Sequence, residues 1–301
     1  NTDWLDAFYK KAAFMQQHNV SISGGTERNR YYASVGYKDQ SGIFRFGNDK
    51  YKRFNLSFNF DTKVFKWLDL GVSTRMNYIE SDEPYMDNQG SDQVTWFYEV
   101  YRMFPTLSIY LPNGDFAGLY LNSGNYNVAG RMALAGRNVE DTWDQWYTGR
   151  FDIHPLKGLS IKGDYSWNRY SIGNKIHRKE MTQTFPEGRT PYLVETPNYV
   201  TNSNSNNIYS AFNVWAEYKK VFDDAHDFNI MVGYNQEEKT YSSTSYTMTN
   251  LYLNDLPVSD LAINYKTNSE VIDIWRIQGM FFRLNYNYKS RYLLELNGRY
   301  D

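Results

Sequence analysis

The stretch Leu68-Asp69-Leu70-Gly71-Val72-Ser73-Thr74-Arg75-Met76-Asn77-Tyr78 alternates with a period of two. Leu68, Leu70, Val72, Thr74, Met76 and Tyr78 share one face, and Asp69, Gly71, Ser73, Arg75 and Asn77 the other. Successive side chains of a strand point to opposite sides. The stretch therefore reads as a strand with one apolar and one polar face. Its rise is roughly 34 Å at ~3.4 Å per residue. Tilted by about 40°, it covers roughly 26 Å, close to the ~25 Å apolar band of a membrane barrel. Strands of soluble sandwiches are usually only about 5–6 residues long.

The same alternation recurs on both sides. Phe54, Leu56, Phe58 and Phe60 alternate with Arg53, Asn55, Ser57, Asn59 and Asp61. Further strands are read around 31–37, 147–153, 159–167, 212–218, 228–234, 280–288 and 294–300, with a short first strand at 18–24. That makes ten strands in 301 residues. The fold class expected is all-β: an antiparallel, up-and-down transmembrane β-barrel.

Connection length supplies direction. Short turns are read near 25–29, 61–66, 155–158, 219–227 and 289–291, and long loops near 39–50, 79–142, 171–207 and 238–274. Short turns on one rim and long loops on the other match periplasmic turns and extracellular loops. The 28 Tyr, 18 Phe and 8 Trp cluster where strands meet the rims. Phe60, Trp67, Phe151, Tyr218, Phe228, Tyr286, Tyr288 and Tyr292 mark the short-turn side, and Tyr37, Tyr78, Trp143, Trp167 and Tyr234 the other. Two such belts are what bilayer interfaces select.

Composition removes other classes. The net charge is −2 with no basic stripe, which argues against nucleic acid. There is no Cys, so neither disulfides nor thiolate metal sites form. Mean hydropathy is −0.69, and no run of about 18 apolar residues exists for a membrane helix. Alternating strands average to polar in any window, so a barrel stays open.

The strand ends carry family wording. Asn1-Thr2-Asp3-Trp4 with Asp6, then Asn19-Val20-Ser21-Ile22-Ser23-Gly24-Gly25, resembles SusC/RagA-type TonB-dependent transporters. So do Tyr51-Lys52-Arg53-Phe54-Asn55-Leu56, Trp67-Leu68 with Leu70-Gly71, and Gly233-Tyr234-Asn235-Gln236-Glu237. Arg283-Leu284-Asn285-Tyr286-Asn287-Tyr288, followed by Tyr292-Leu293-Leu294-Glu295 and Arg299-Tyr300-Asp301, is similar to the family's most recognisable barrel passage. The resemblance runs the length of the chain. It implies a barrel of about 22 strands with a plug inside it, of which these ten strands would be part. It also implies a SusD-like lipoprotein lid, TonB-driven import of oligosaccharides or peptides, and the outer membrane of a Bacteroidetes-type Gram-negative bacterium. Residues 1–301 are then expected to be barrel, with plug and N-terminal regions outside this chain. Both ends read as cut: Asn1 is not Met, and Asp301 stops where the family continues with Gly-Ser-Ser.

No enzyme motif and no cofactor site are read. His18, His154, His177 and His226 are scattered without metal-ligand spacing. Asp82, Glu83, Asp87 and Asp92 are weak candidates for a hard cation, because carboxylate oxygens suit calcium. They lack the DxDxDG spacing, and a solvated loop is the alternative. The inward charges Arg53, Asp61, Asp69, Arg75, Lys162, Asp164, Glu295 and Arg299 fit either a substrate-lining wall or contact with plug and water. The loop 79–142 holds Trp96, Phe97, Tyr98, Tyr101 and Phe104 at partly helical spacing, then Pro105, Tyr110, Pro112, Asn113, Gly114 and Asp115. Long loops at a pore mouth bind ligands or partners. Aromatic rings cover the C–H faces of sugars, while amides and carboxylates bond their hydroxyls. Trp96, Tyr98 and Tyr101, with Trp143 and Trp146 just beyond, are therefore the expected substrate or lid contacts, against loop self-packing. The competing functions are a passive porin-like barrel and a soluble all-β carbohydrate-binding domain.

Overall fold

The computed structural model describes residues 1–86, 96–118, 127–183, 192–194 and 196–301. Ten strands pair antiparallel in one open sheet, in chain order except that β6 (Leu159–Arg178) pairs with β9 (Tyr199–Phe222). They are β1 (Met15–Gly25), β2 (Asn29–Ser41), β3 (Lys50–Phe65), β4 (Leu68–Pro84), β5 (Gly136–Leu156) and β6 (Leu159–Arg178). After a separate small hairpin of β7 (Met181–Gln183) and β8 (Tyr192–Val194), the sheet continues with β9 (Tyr199–Phe222), β10 (His226–Leu251), β11 (Ala262–Tyr288) and β12 (Tyr292–Tyr300).

The expected all-β architecture and its ten strands are present. Register carries the face assignment across the sheet. Asp61 lies opposite Gly71, Gly71 opposite Arg150, Arg150 opposite Asp164, and Asp164 opposite Asn213. This face is polar over most of the sheet, with aromatic residues such as Trp146 and Trp215 among its charges and amides. On the other, Phe54, Val72, Val232 and Phe282 leave 45%, 46%, 54% and 50% of their surface uncovered. An apolar stripe that broad is a surface for lipid, not water.

The short turns have the chemistry that tight hairpins need. Asp223 and Asp224 (φ 50° and 51°) and Lys289 and Ser290 (φ 49° and 55°) form left-handed pairs, whose twist suits a hairpin.

The strands outrun the sequence reading at the other rim. β10 and β11 are 26 and 27 residues long, so most of the expected loop 238–274 is strand. The 171–207 loop shrinks likewise, because β6 reaches Arg178 and β9 starts at Tyr199. β4 runs to Pro84 and β5 begins at Gly136, which shortens 79–142 at both ends. β1 begins at Met15, earlier than expected. The cause is physical. Beyond the bilayer both faces meet water, so stretches such as 201–207 and 240–247 are polar on both sides. The hydrogen-bond ladder continues, but the period-two hydrophobic signal stops.

The buried core lies at this long-connection rim. Trp4, Phe8, Phe44, Val100, Val128, Ala129 and Met132 pack together. They bring in α1 (Trp4–Phe8), α2 (Trp96–Tyr101) and α3 (Val128–Leu134). Asp3 caps α1 by accepting from the Leu5 and Asp6 amides. Asn127, 2% exposed, caps α3 through its Oδ1, while its Nδ2 donates to the Ile109 and Ala117 carbonyls at 2.7 and 3.1 Å. Its whole amide is satisfied, as burial requires. The Thr2 amide donates to Pro105 and the Lys10 amide to Ile43, which ties the first residues to this body.

Candidate functional site

The polar face supplies two regions at different heights. Nearer the short turns, a hollow of about 720 Å³ is lined by Arg30, Asp61, Asp69, Arg150, Asp152 and Lys162, among others. Arg150 pairs with Asp61, and Lys162 and His154 approach Asp152 at 3.5 and 3.3 Å. Cations and carboxylates balance, which suits contact with another polar surface better than selection of one charge.

Higher on the same face the wall becomes aromatic. The Arg75 guanidinium stands 5.8 Å from the Trp146 ring, and Trp146 tilts against Tyr209 with centroids 6.1 Å apart. The Tyr209 hydroxyl donates to Glu237 at 2.9 Å. Asn168 is 7% exposed and donates to Asp144 at 2.9 Å and to the Gln145 carbonyl at 3.0 Å. A line of amides follows: Asn213 donates to Asp164 at 2.9 Å and Asn235 to Asn213 at 2.7 Å. Strand register places these groups, and their mutual bonds fix their rotamers. A ring face edged by a guanidinium, carboxylates and amides matches a ligand with apolar C–H faces and many hydroxyl or amide groups.

The five expected contact residues fall in three places. Trp96 packs against the buried body at the rim. Tyr98 and Tyr101 ride the same helix, 49% and 77% exposed, with Arg102 lying 5.1 Å from the Tyr98 ring. Trp146 faces inward. Trp143 has the opposite parity and pairs with Tyr78 on the outer face at 4.5 Å, so it belongs to the belt. Tyr209 and Asn168 are absent from the contacts expected from sequence, and Glu237 figures there only within the Gly233–Glu237 family wording. Extending the alternation of Phe212 and Val214 three residues upstream places Tyr209 inward, so the signal was present.

Of the cation candidates, Asp82 is ion-paired with Arg137 at 2.6 Å, and Glu83, its strand neighbour, points to the other face. Asp87 and Asp92 lie outside the described residues. Among the described residues no cluster of three metal-ligating side chains forms.

No family model matches the chain. TonB-dependent receptor P3 of Formosa agariphila is 25% identical over 318 residues, an alignment covering 100% of this chain and 29% of that receptor. TonB-dependent receptor SusC of Bacteroides thetaiotaomicron is 25% identical over 335 residues, covering 100% of this chain and 30% of SusC. The chain thus spans less than a third of the curated relatives it matches. In fold it resembles the RagAB peptide transporter, with a TM-score of 0.77 at 20% identity over 99% of this chain and 32% of that one. It also resembles the outer-membrane ferripyoverdine receptor of Pseudomonas aeruginosa, at 0.54 and 13% over 95% of this chain and 35% of that one.

Proposed function

Because this chain is barrel of the SusC/RagA type of TonB-dependent outer-membrane receptor, we propose that it forms one wall of an active importer of oligosaccharides or peptides. The observation that carries this reading is the similarity to TonB-dependent receptors over 100% of the chain, with every strand of the sheet included. Residues 1–301 supply wall and rim, and a plug elsewhere in the receptor fills the lumen. The balanced hollow around Asp61, Arg150 and Asp152 faces that plug. The Trp146–Tyr209 wall above it meets the substrate: the ring covers an apolar face, and Arg75, Asp144, Asn168 and Glu237 bond its polar edge. Tyr98 and Tyr101 present aromatic surface to a SusD-like lipoprotein over the mouth. TonB draws on the plug and opens the path, and no bond of the substrate is made or broken.

The test is uptake by cells with and without the intact receptor gene. Deletion should abolish uptake of a labelled oligosaccharide or oligopeptide, and a protonophore should do the same in the parent strain. Uptake that survives the protonophore would replace this reading with passive diffusion through a porin-like barrel.

A further inference from the structure

The short turns hold a set of cations that import does not use. Lys66 lies between β3 and β4, Lys157 between β5 and β6, Lys220 at the end of β9 and Lys289 between β11 and β12. Three turns thus carry one lysine each, and Lys220 stands just before a fourth, beside a Lys219 that is paired with Glu217; all four lie at the short-turn rim. None of the four has a carboxylate within ion-pair distance among the described residues. The carboxylates on these turns, Asp223 and Asp224, sit together at the tip of one of them.

Each lysine stands beside apolar surface of the lipid-facing belt. Phe65 and Trp67 stack on either side of Lys66 in sequence, with centroids 5.3 Å apart and planes within 10°. They remain 55% and 49% exposed. Leu156, next to Lys157, is 57% exposed. The Lys220 ammonium lies 4.6 Å from the Phe222 ring centroid, and that of Lys289 lies 5.5 Å from Tyr288. Aromatic stems with ammonium heads at one level mark the plane where acyl chains give way to headgroups. A lysine near an anionic lipid surface gains roughly fivefold in affinity.

We propose that this rim binds the phosphodiester headgroups of anionic phospholipid in the inner leaflet of the outer membrane. Charge complementarity selects that occupant: a phosphate supplies the anion that the protein withholds from all four lysines. The inference rests on the orientation of the barrel and not on the substrate, so its failure would leave the import reading intact.

The test is native mass spectrometry of the intact, delipidated receptor titrated with phosphatidylglycerol or with phosphatidylethanolamine of the same chains. The parent should retain phosphatidylglycerol preferentially. The combined Lys66→Gln, Lys157→Gln, Lys220→Gln and Lys289→Gln variant should lose that preference, and the corresponding four Lys→Arg changes should keep it. Should the combined variant fail to fold, the single Lys66→Gln and Lys289→Gln proteins should each bind phosphatidylglycerol about fivefold more weakly. Equal retention of both lipids by the parent would overturn the proposal. So would a Gln variant that keeps its lipid preference but loses cross-linking to a periplasmic protein, since the cations would then serve a protein.

Discussion

Arg150 reaches across Gly71 to pair with Asp61, so residues from β5 and β3 meet over the strand between them. A Cβ at position 71 would collide with the Arg150 side chain and lie 2.7 Å from Asp61 Oδ1. The one apolar residue on the inward face of 68–78 is therefore the space that the ion pair occupies.

Gly71→Val should push the guanidinium off Asp61. Both side chains are about two-fifths exposed (43% and 40%), so solvent weakens the pair, and the loss should stay near the ~1 kcal/mol upper range of exposed pairs. Arg150→Met should cost a similar amount, and the double variant little more than either single. The measurement is urea unfolding of the detergent-solubilised receptor. Additive losses would show that Gly71 has some other role.

Parity predicts opposite outcomes for neighbours. Val72 faces lipid between Phe60 and Gly149, and Val72→Arg should cost roughly 2–4 kcal/mol near the midplane. Ser73 faces the lumen beside Arg75 and Trp146, where Ser73→Arg should assemble normally. Comparing heat-modifiable migration of the two variants decides it. Equal damage from both would contradict the face assignment.

These contrasts also mark what could be read in advance. Inside the bilayer, lipid on one side and lumen on the other force alternation, so 54–60 and 68–78 declare both strand and face. Trp143 and Trp146 are an odd and an even position of one strand. Proximity to a loop groups them, but their parity separates them. Above the bilayer the forcing disappears, and Asn202, Ser203, Asn204 and Ser205 look like loop although they sit in β9. The helices α1 and α3 are 5 and 7 residues long, too short for a hydrophobic period, and exist because Phe8, Val128 and Met132 share a core with Phe44. The Trp146–Tyr209 contact joins strands that are not adjacent, so only the fold reveals it.

At the long-connection rim, Asp255, in the segment joining β10 to β11, pairs with Lys179 just past the end of β6. The lysine's hydrogen bond and charge hold the Asp255 carboxyl below its ordinary value of 3.8. A carboxylate depressed in the folded state contributes stability above the unfolded pKa and loses it as pH falls through the folded one. Hydrogen exchange of residues 252–258 should therefore show unchanged protection from neutral pH down to about 4, and loosening only below it. Asp255→Asn should remove the acid-dependent step. A transition near pH 6 would assign the control to another group.

The two tryptophans three residues apart should separate binding from membrane fit. Trp146 lies on the inner face with Arg75 and Tyr209, so Trp146→Ala removes a ring face and releases both neighbours from it. Affinity for an oligosaccharide or peptide cargo should fall about tenfold, the upper range of one aromatic contact. Trp143 meets Tyr78 on the outer face, so Trp143→Ala should leave cargo affinity unchanged while lowering thermal stability in lipid. Calorimetric titration and thermal unfolding of both variants, made in the intact receptor, give the comparison. Loss of affinity in Trp143→Ala with none in Trp146→Ala would move the substrate path off the inner wall.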